Sequence, residues 1–478
     1  MKMQGKKMRG LFRIRKNILL PVLAAVSALA SAEYNSAGIP DSAEIRRTVV
    51  DSWLTAPFSD LVHKKPEVRE SEIGTFFQVR MEEESRKEFS VIIAPRSELS
   101  VQVQNGSSSG TDTMSVYLRG SCGSWILYRE TSSGKPVRLV WQFNDDSDVY
   151  VQFRPQANKT FVDMLVFGSY AARSVPMGIN FERLYTASFD DVRKWTSRTL
   201  PWNKVEYALN QYSDLLNVVS VVREKLSLMD YAEDAGYNEN GQLYSIANDR
   251  PFFVPLTGDE EADRNVFIPD PERLTLCGAG FVKYIVDGIV EPYSGQGTKI
   301  SDLKEQTVEF SALGKSGVAS QDWNLTFTLD WCRNLAAAAL SARSSRDYDF
   351  RTGGVDVTIE PFASDVVNGV ITNSKGYITN TGYSAANLKS LLYVLAVTEP
   401  EWFYLAAIRQ PVSGEKLKSE LAFNNCAVIF PYFDKYGHFA CAVFEMNKEY
   451  SLSEFMETYK NDYVHLERVK SSEFFYPR

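Results

Sequence analysis

The sequence predicts an α+β protein of several domains: an N-terminal antiparallel β-sandwich, a helical connector and a C-terminal α+β domain. Apolar residues alternate with period two from about Gly74 to Tyr170 and change to helical spacing near Ser188. From about residue 271 onward both periods occur. The boundaries read from these shifts are an export segment at 1–32, the sandwich at 33–180, the connector and a surface loop at 181–270, and the α+β domain at 271–478.

The export segment opens with Lys2, Lys6, Lys7, Arg9, Arg13, Arg15 and Lys16, with no acid before Glu33. An apolar run from Ile18 to Ala30 follows, and Ala30-Ser31-Ala32 supplies small residues for cleavage. Basic, apolar and small residues in that order make a secretory signal peptide, with a run too short to cross a bilayer. The expected location is therefore periplasmic or extracellular. No cysteine lies near the cleavage site to take a lipid anchor, and no later run is long and uncharged enough to span. Loss of the seven basic residues moves the formal net charge from −8 to −15. A body that acidic repels nucleic acid, which excludes that class of partner.

The sandwich is predicted from short strands at Phe76–Met81, Phe89–Ile93, Leu99–Val103, Met114–Leu118, Trp125–Tyr128, Val137–Phe143, Val149–Phe153 and Phe161–Phe167. Turn-forming clusters such as 105–112, 132–136, 144–148 and 155–159 separate several of them, the pattern of hairpins. Ser188, followed by Asp190 and Asp191, is placed to cap a helix. Leu215, Val218, Val219, Val222 and Leu226 form one face of a second helix, and the polar stretch 230–270 is expected to loop over the surface. Further on, Gly278–Val290, Asp330–Arg343 and Ser384–Val397 read as helices. Cys426–Phe433 and His438–Glu445 read as paired strands around the turn 434–437, Ser451-Leu-Ser-Glu454 as a capping box and Tyr463–Val469 as a last strand.

Few residues carry chemistry. Cys122, Cys277, Cys332, Cys426 and Cys441 are too sparse for a disulfide framework, and with His63, His438 and His465 they form no metal-ligand spacing. Neither a metal nor a cofactor is expected. Gly106-Ser-Ser-Ser-Gly110 spells a nucleophile elbow but lies in a loop between strands, where that motif has no strained turn to work from. Cys277 stands where a loop becomes a helix, and the positive end of the helix dipole there favours thiolate. His438 begins an apolar strand 161 residues later. A helix-borne thiol and a strand-borne imidazole are the parts of a cysteine hydrolase.

Two stretches, Cys277-Gly-Ala-Gly-Phe-Val-Lys-Tyr284 and Gly437-His-Phe-Ala-Cys-Ala-Val-Phe444, resemble the NlpC-type, papain-like cell-wall endopeptidases. In that family a Cys-Ser-Gly-Phe/Leu-Val stretch opens the nucleophile helix and a Gly-His strand supplies the base. The resemblance implies Cys277 as nucleophile, His438 as base and His465 as the residue that orients it, acting on peptidoglycan. Aligning Gly280-Phe281-Val282 with the family pattern puts Gly278 at the nucleophile position and Cys277 one residue early, about 100° round the helix. The leading expectation is therefore a non-catalytic cell-envelope protein that binds or scaffolds a protein, glycan or peptidoglycan partner. A cysteine peptidase or amidase is the alternative.

Overall fold

The computed structural model describes residues 38–105, 108–252, 270, 272–308, 325–367, 370–411 and 421–478. The expected export segment, 1–32, and Gly106 and Ser107 of the loop motif lie outside them. Two short helices, α1 (Ala43–Val49) and α2 (Phe58–Leu61), lead into ten strands. These are β1 (Glu67–Glu70), β2 (Phe76–Ser85), β3 (Glu88–Pro95), β4 (Ser97–Asn105), β5 (Ser108–Val116), β6 (Trp125–Glu130), β7 (Pro136–Gln142), β8 (Val149–Gln156), β9 (Lys159–Val166) and β10 (Ser169–Met177). Eight of them form one antiparallel sheet in the order β1-β2-β3-β6-β7-β8-β9-β10, and β4 and β5 pair as a separate ribbon.

The expected sandwich is thus a single sheet, and its second layer is helical. Phe89, Val91, Ile93, Trp125, Leu127, Leu139 and Trp141 share one face and are fully buried. Helix α3 (Phe189–Thr196) and the turns on either side of it cover that face: Phe189 packs edge-on to Trp141, and Trp202 to Phe143. Arg46 of α1 is fully buried over the Trp125 and Trp141 rings, 5.1 and 4.7 Å from their centroids. Its guanidinium donates to the carbonyls of Leu184, Tyr185 and Ala187, which ties α1 to the segment before α3. Alternation says that a strand has one apolar face but not what covers it, and here the cover is helices.

Helix α4 (Ser213–Leu226) follows, burying Leu215, Val218, Val219 and Val222 as its spacing predicts. The described residues of the expected surface loop include β11 (Met229–Tyr231), β12 (Ala235–Tyr237), β13 (Leu243–Ser245) and β14 (Arg250–Pro251), with β12, β13 and β14 in one small sheet. β11 pairs in parallel with β15 (Leu274–Leu276), so this segment feeds directly into helix α5 (Gly278–Ser294).

The C-terminal part adds α6 (Ile300–Leu303), α7 (Phe327–Ser344), α8 (Phe350–Gly353), the ribbon β16 (Asp365–Val367) and β17 (Val370–Asn373), β18 (Tyr383–Ser384) and α9 (Leu388–Thr398). Then come β19 (Trp402–Pro411), β20 (Leu421–Phe433), β21 (Phe439–Glu445), β22 (Lys448–Ser451), α10 (Leu452–Thr458) and β23 (Tyr463–Lys470). A six-stranded antiparallel sheet, β18-β23-β19-β20-β21-β22, lies between two helical layers. Phe403, Leu405, Val428 and Phe430 pack with α4, α5 and α7 on one face, and Tyr404, Ala406, Ile429 and Val443 with α9 and α10 on the other. The architecture is α+β, and residues 35–478 form one compact unit. Among the described residues no helix is long and apolar enough to cross a membrane.

Candidate functional site

Cys277 caps helix α5, and its sulfur accepts the Gly280 N–H at 3.4 Å. The helix starts there because β15 ends in a backbone bond from Cys277 N–H to the Ala235 carbonyl, and Gly278 to Gly280 then let the chain turn close to β12 and β20. In front of the thiol is an open cleft of about 670 Å³. Its walls include Asp234, Phe327, Asn425, Cys426 and Met446. The start of α7, an 18-residue helix, closes the same cleft through Phe327 and Thr328.

The expected thiolate is not formed. Burial pushes the Cys277 thiol up to about 11, outweighing the amide donors of Gly280 and Ala279, which pull the other way. Nearby Asp234 and Cys426 raise it further. Desolvation disfavours the charged sulfur more than one helix end favours it. All five cysteines are free thiols.

His438 is not brought to Cys277. Gly278 lies against Asn425, Cys426 and Met446, at the end of the β20–β21 hairpin where β20 begins and β21 ends. His438 sits beyond the other end, in the turn between Phe433 and Phe439. Eight residues of extended chain at about 3.3 Å each separate Met446 from His438, so the two groups are roughly 25 Å apart. His438 is largely exposed and faces Asp146 at 3.9 Å, on the seam with the N-terminal sheet. Its backbone N–H is held by the Asp434 carboxylate at 2.9 Å. The resemblance of this strand is one of local pattern, and the pairing register places the histidine at the wrong end.

His465 is closer, but it is sealed. Ala407 on β19 pairs with Cys426 on one side and His465 on the other, two strand spacings or about 10 Å across. Arg333 of α7 donates toward His465 Nε2 at 3.4 Å, and the Tyr377 hydroxyl lies at 2.9 Å. A guanidinium can only donate, so Nε2 is the acceptor and the Nδ1–H faces Glu467. Burial drives the imidazole pKa down to about 3 and the Glu467 carboxyl well above its ordinary value. The ring is a neutral structural tie with no exposed surface.

Asp356, His465 and Glu467 bring three donor atoms within 4.8 Å of one another, a spacing that suits a metal ion. Arg333 already supplies the cation there: it binds Asp356 through Nη2 at 2.7 Å and Nε at 3.0 Å. A second positive charge would face the guanidinium directly, so the donor set does not suit a metal.

From β20 and the β21–β22 turn, Asn425, Cys426 and Met446 share the cleft with Cys277, and none of these three can take its proton. The Asn425 amide is already bonded to the Glu445 carboxylate and the Tyr459 hydroxyl. No histidine lines the cleft among the described residues. Sequence reading had no access to these neighbours, because Asn425 and Cys426 come to the Cys277 cleft, and Arg333 and Asp356 to His465, only through strand register and helix packing.

The fold and site define an α+β protein in which a helix-capping thiol faces an open cleft that, among the described residues, has carboxylates but no histidine in its walls. A family model described as a domain of unknown function (DUF8515) matches residues 35–204. That span runs from just before α1 to the turn containing Trp202, the eight-stranded sheet together with its helical cover. No curated protein and no solved structure matches the chain.

Proposed function

We propose that this is an exported cell-envelope protein with a non-catalytic binding or scaffolding role. The observation that carries the reading is the separation of Cys277 from both histidines that its motif would need. A neutral thiol with no imidazole beside it to take its proton does not attack an amide at a useful rate. Scaffolding is favoured by the way the two sheets join. Asn144 donates to the Tyr393 hydroxyl at 2.7 Å, Tyr393 donates to the Val205 carbonyl at 2.9 Å, and Phe167, Phe433 and Phe439 pack around that ring. The basic-then-apolar leader and the acidic body are the motivation for placing it outside the cytoplasm.

The alternative, a cysteine peptidase or amidase acting on peptidoglycan, has one observation on its side: Cys277 caps a 17-residue helix at an accessible cleft. Labelling with a thiol-directed acyl electrophile at pH 7 separates the two. Slow modification of Cys277 that accelerates only toward pH 11, unchanged by His438→Ala, is expected. Rapid labelling at pH 7 that is abolished by His438→Ala would establish the hydrolase instead.

A further inference from the structure

The face of the N-terminal sheet opposite α1 and α3 has its own apolar patch, built on Ile92, Ala94, Ile126, Tyr128 and Val140. Across it runs a groove of about 330 Å³. Strand register assembles it: Tyr128 pairs with Arg138, Val140 with Gln152 and Gln142 with Tyr150, all on the same side of the sheet. Arg119 closes one wall, donating to the Tyr128 hydroxyl at 2.7 Å. The Arg138 guanidinium carbon lies over the Tyr128 ring, 3.6 Å from its centroid.

Two features of this groove point to a ligand. Gln142 is only 6 % exposed, yet its side-chain carbonyl oxygen has no hydrogen-bond partner. Nearly all buried amide groups are satisfied, so an orphan acceptor on a groove-lining residue leaves that side chain's bonding incomplete. The charges, by contrast, are already neutralised: Arg119 pairs with Glu82 at 3.1 Å and with Glu84 at 2.6 Å, and Arg138 with Glu88 at 2.9 Å. The lining therefore offers amides, a phenol and a guanidinium over an aromatic ring, with no excess of either sign.

We infer that this groove binds a neutral saccharide. Ligand pockets begin at about 300 Å³, which accommodates one or two pyranose rings. Sugar hydroxyls both donate and accept, so they match the Gln142 and Gln152 amides and the Tyr150 hydroxyl. The apolar C–H face of a pyranose suits the floor made by Ile126 and Val140. An anionic ligand finds no unpaired cation there, and the groove is too small to seat a protein surface. The inference deepens the binding role proposed above and rests on it.

The test is a printed array of neutral, acidic and sulfated glycans probed with the full chain, followed by calorimetry with the best soluble hit. Neutral glycans are expected to bind. Gln142→Leu should weaken the hit roughly tenfold or more and Tyr150→Phe severalfold, while Cys277→Ala leaves it unchanged. Thermal melts of each variant separate lost binding from lost fold, and Gln152→Leu provides a second groove variant if Gln142→Leu does not fold. No glycan binding, preference for acidic or sulfated glycans only, or neutral binding indifferent to Gln142, Gln152 and Tyr150 would each overturn the assignment. Turnover that depends on Cys277 would end the non-catalytic reading without touching the groove, so the two failures are distinguishable.

Discussion

At the scale of single residues, the determining fact is that burial outweighs local electrostatics at Cys277 and His465, two of the three groups the sequence singled out. Cys277 has a helix end to stabilise its thiolate and His465 has two acids beside it, yet both stay neutral because the interior disfavours charge. The same balance makes stability depend on pH. Glu467 has a folded pKa well above its ordinary value, so the fold retains a proton that the unfolded chain releases above about pH 4.5. Its contribution is full below that pH and is lost as pH rises. His465, lowered to about 3, acts oppositely: its contribution is present above about pH 6.5 and is lost as pH falls toward 3. Urea unfolding of Glu467→Gln should show the variant gaining on wild type by at least about 1 kcal/mol between pH 5 and pH 8. Parallel profiles for the two proteins would mean that Glu467 is already ionised in the fold.

Elements follow local chemistry where they begin and tertiary packing where they meet. Ser188 with Asp191 and Ser451 with Glu454 form reciprocal capping boxes, so both helix starts were readable from a few consecutive residues. Helix α5 was readable as a helix, but its seat was not. Gly280 lies so close to β12 that an added Cβ would stand 2.3 Å from the Ala235 carbonyl oxygen. That oxygen is backbone and already holds the Cys277 N–H, so it cannot move cheaply. Gly280→Ala is expected to cost roughly 3 kcal/mol, measured by chemical denaturation. A loss below about 0.5 kcal/mol would show that α5 can shift away from β12. Strand register was equally out of reach: Cys426, Ala407 and His465 form one row across three strands, and nothing in their spacing along the chain announces it.

For the molecule as a whole, the seam between the two sheets is the controlling feature. Tyr393 is fully buried there, makes hydrogen bonds to both Asn144 and Val205, and packs against Phe167, Phe433 and Phe439. Joined in this way, residues 35–478 should unfold in a single calorimetric transition. Tyr393→Ala removes the ring and both bonds, a loss of about 3–5 kcal/mol, and is expected to resolve the transition into two. Two transitions in the wild-type protein, or none resolved in the variant, would argue against a cooperative seam.

The sequence by itself determined the α+β class, the period-two strands, the main helices with two of their caps, and an acidic charge balance, because these depend on neighbours within a few residues. It also placed a thiol at a helix start. Only the tertiary structure decided that the sheet is covered by helices, that His438 belongs to the seam between the two sheets and that His465 is sealed behind Arg333 and Tyr377. It decided too that the side-chain oxygen of Gln142, on a groove-lining residue, is left without a partner. Those outcomes depend on which surfaces bury each other, and burial sets both the contacts and the protonation states from which chemistry is made.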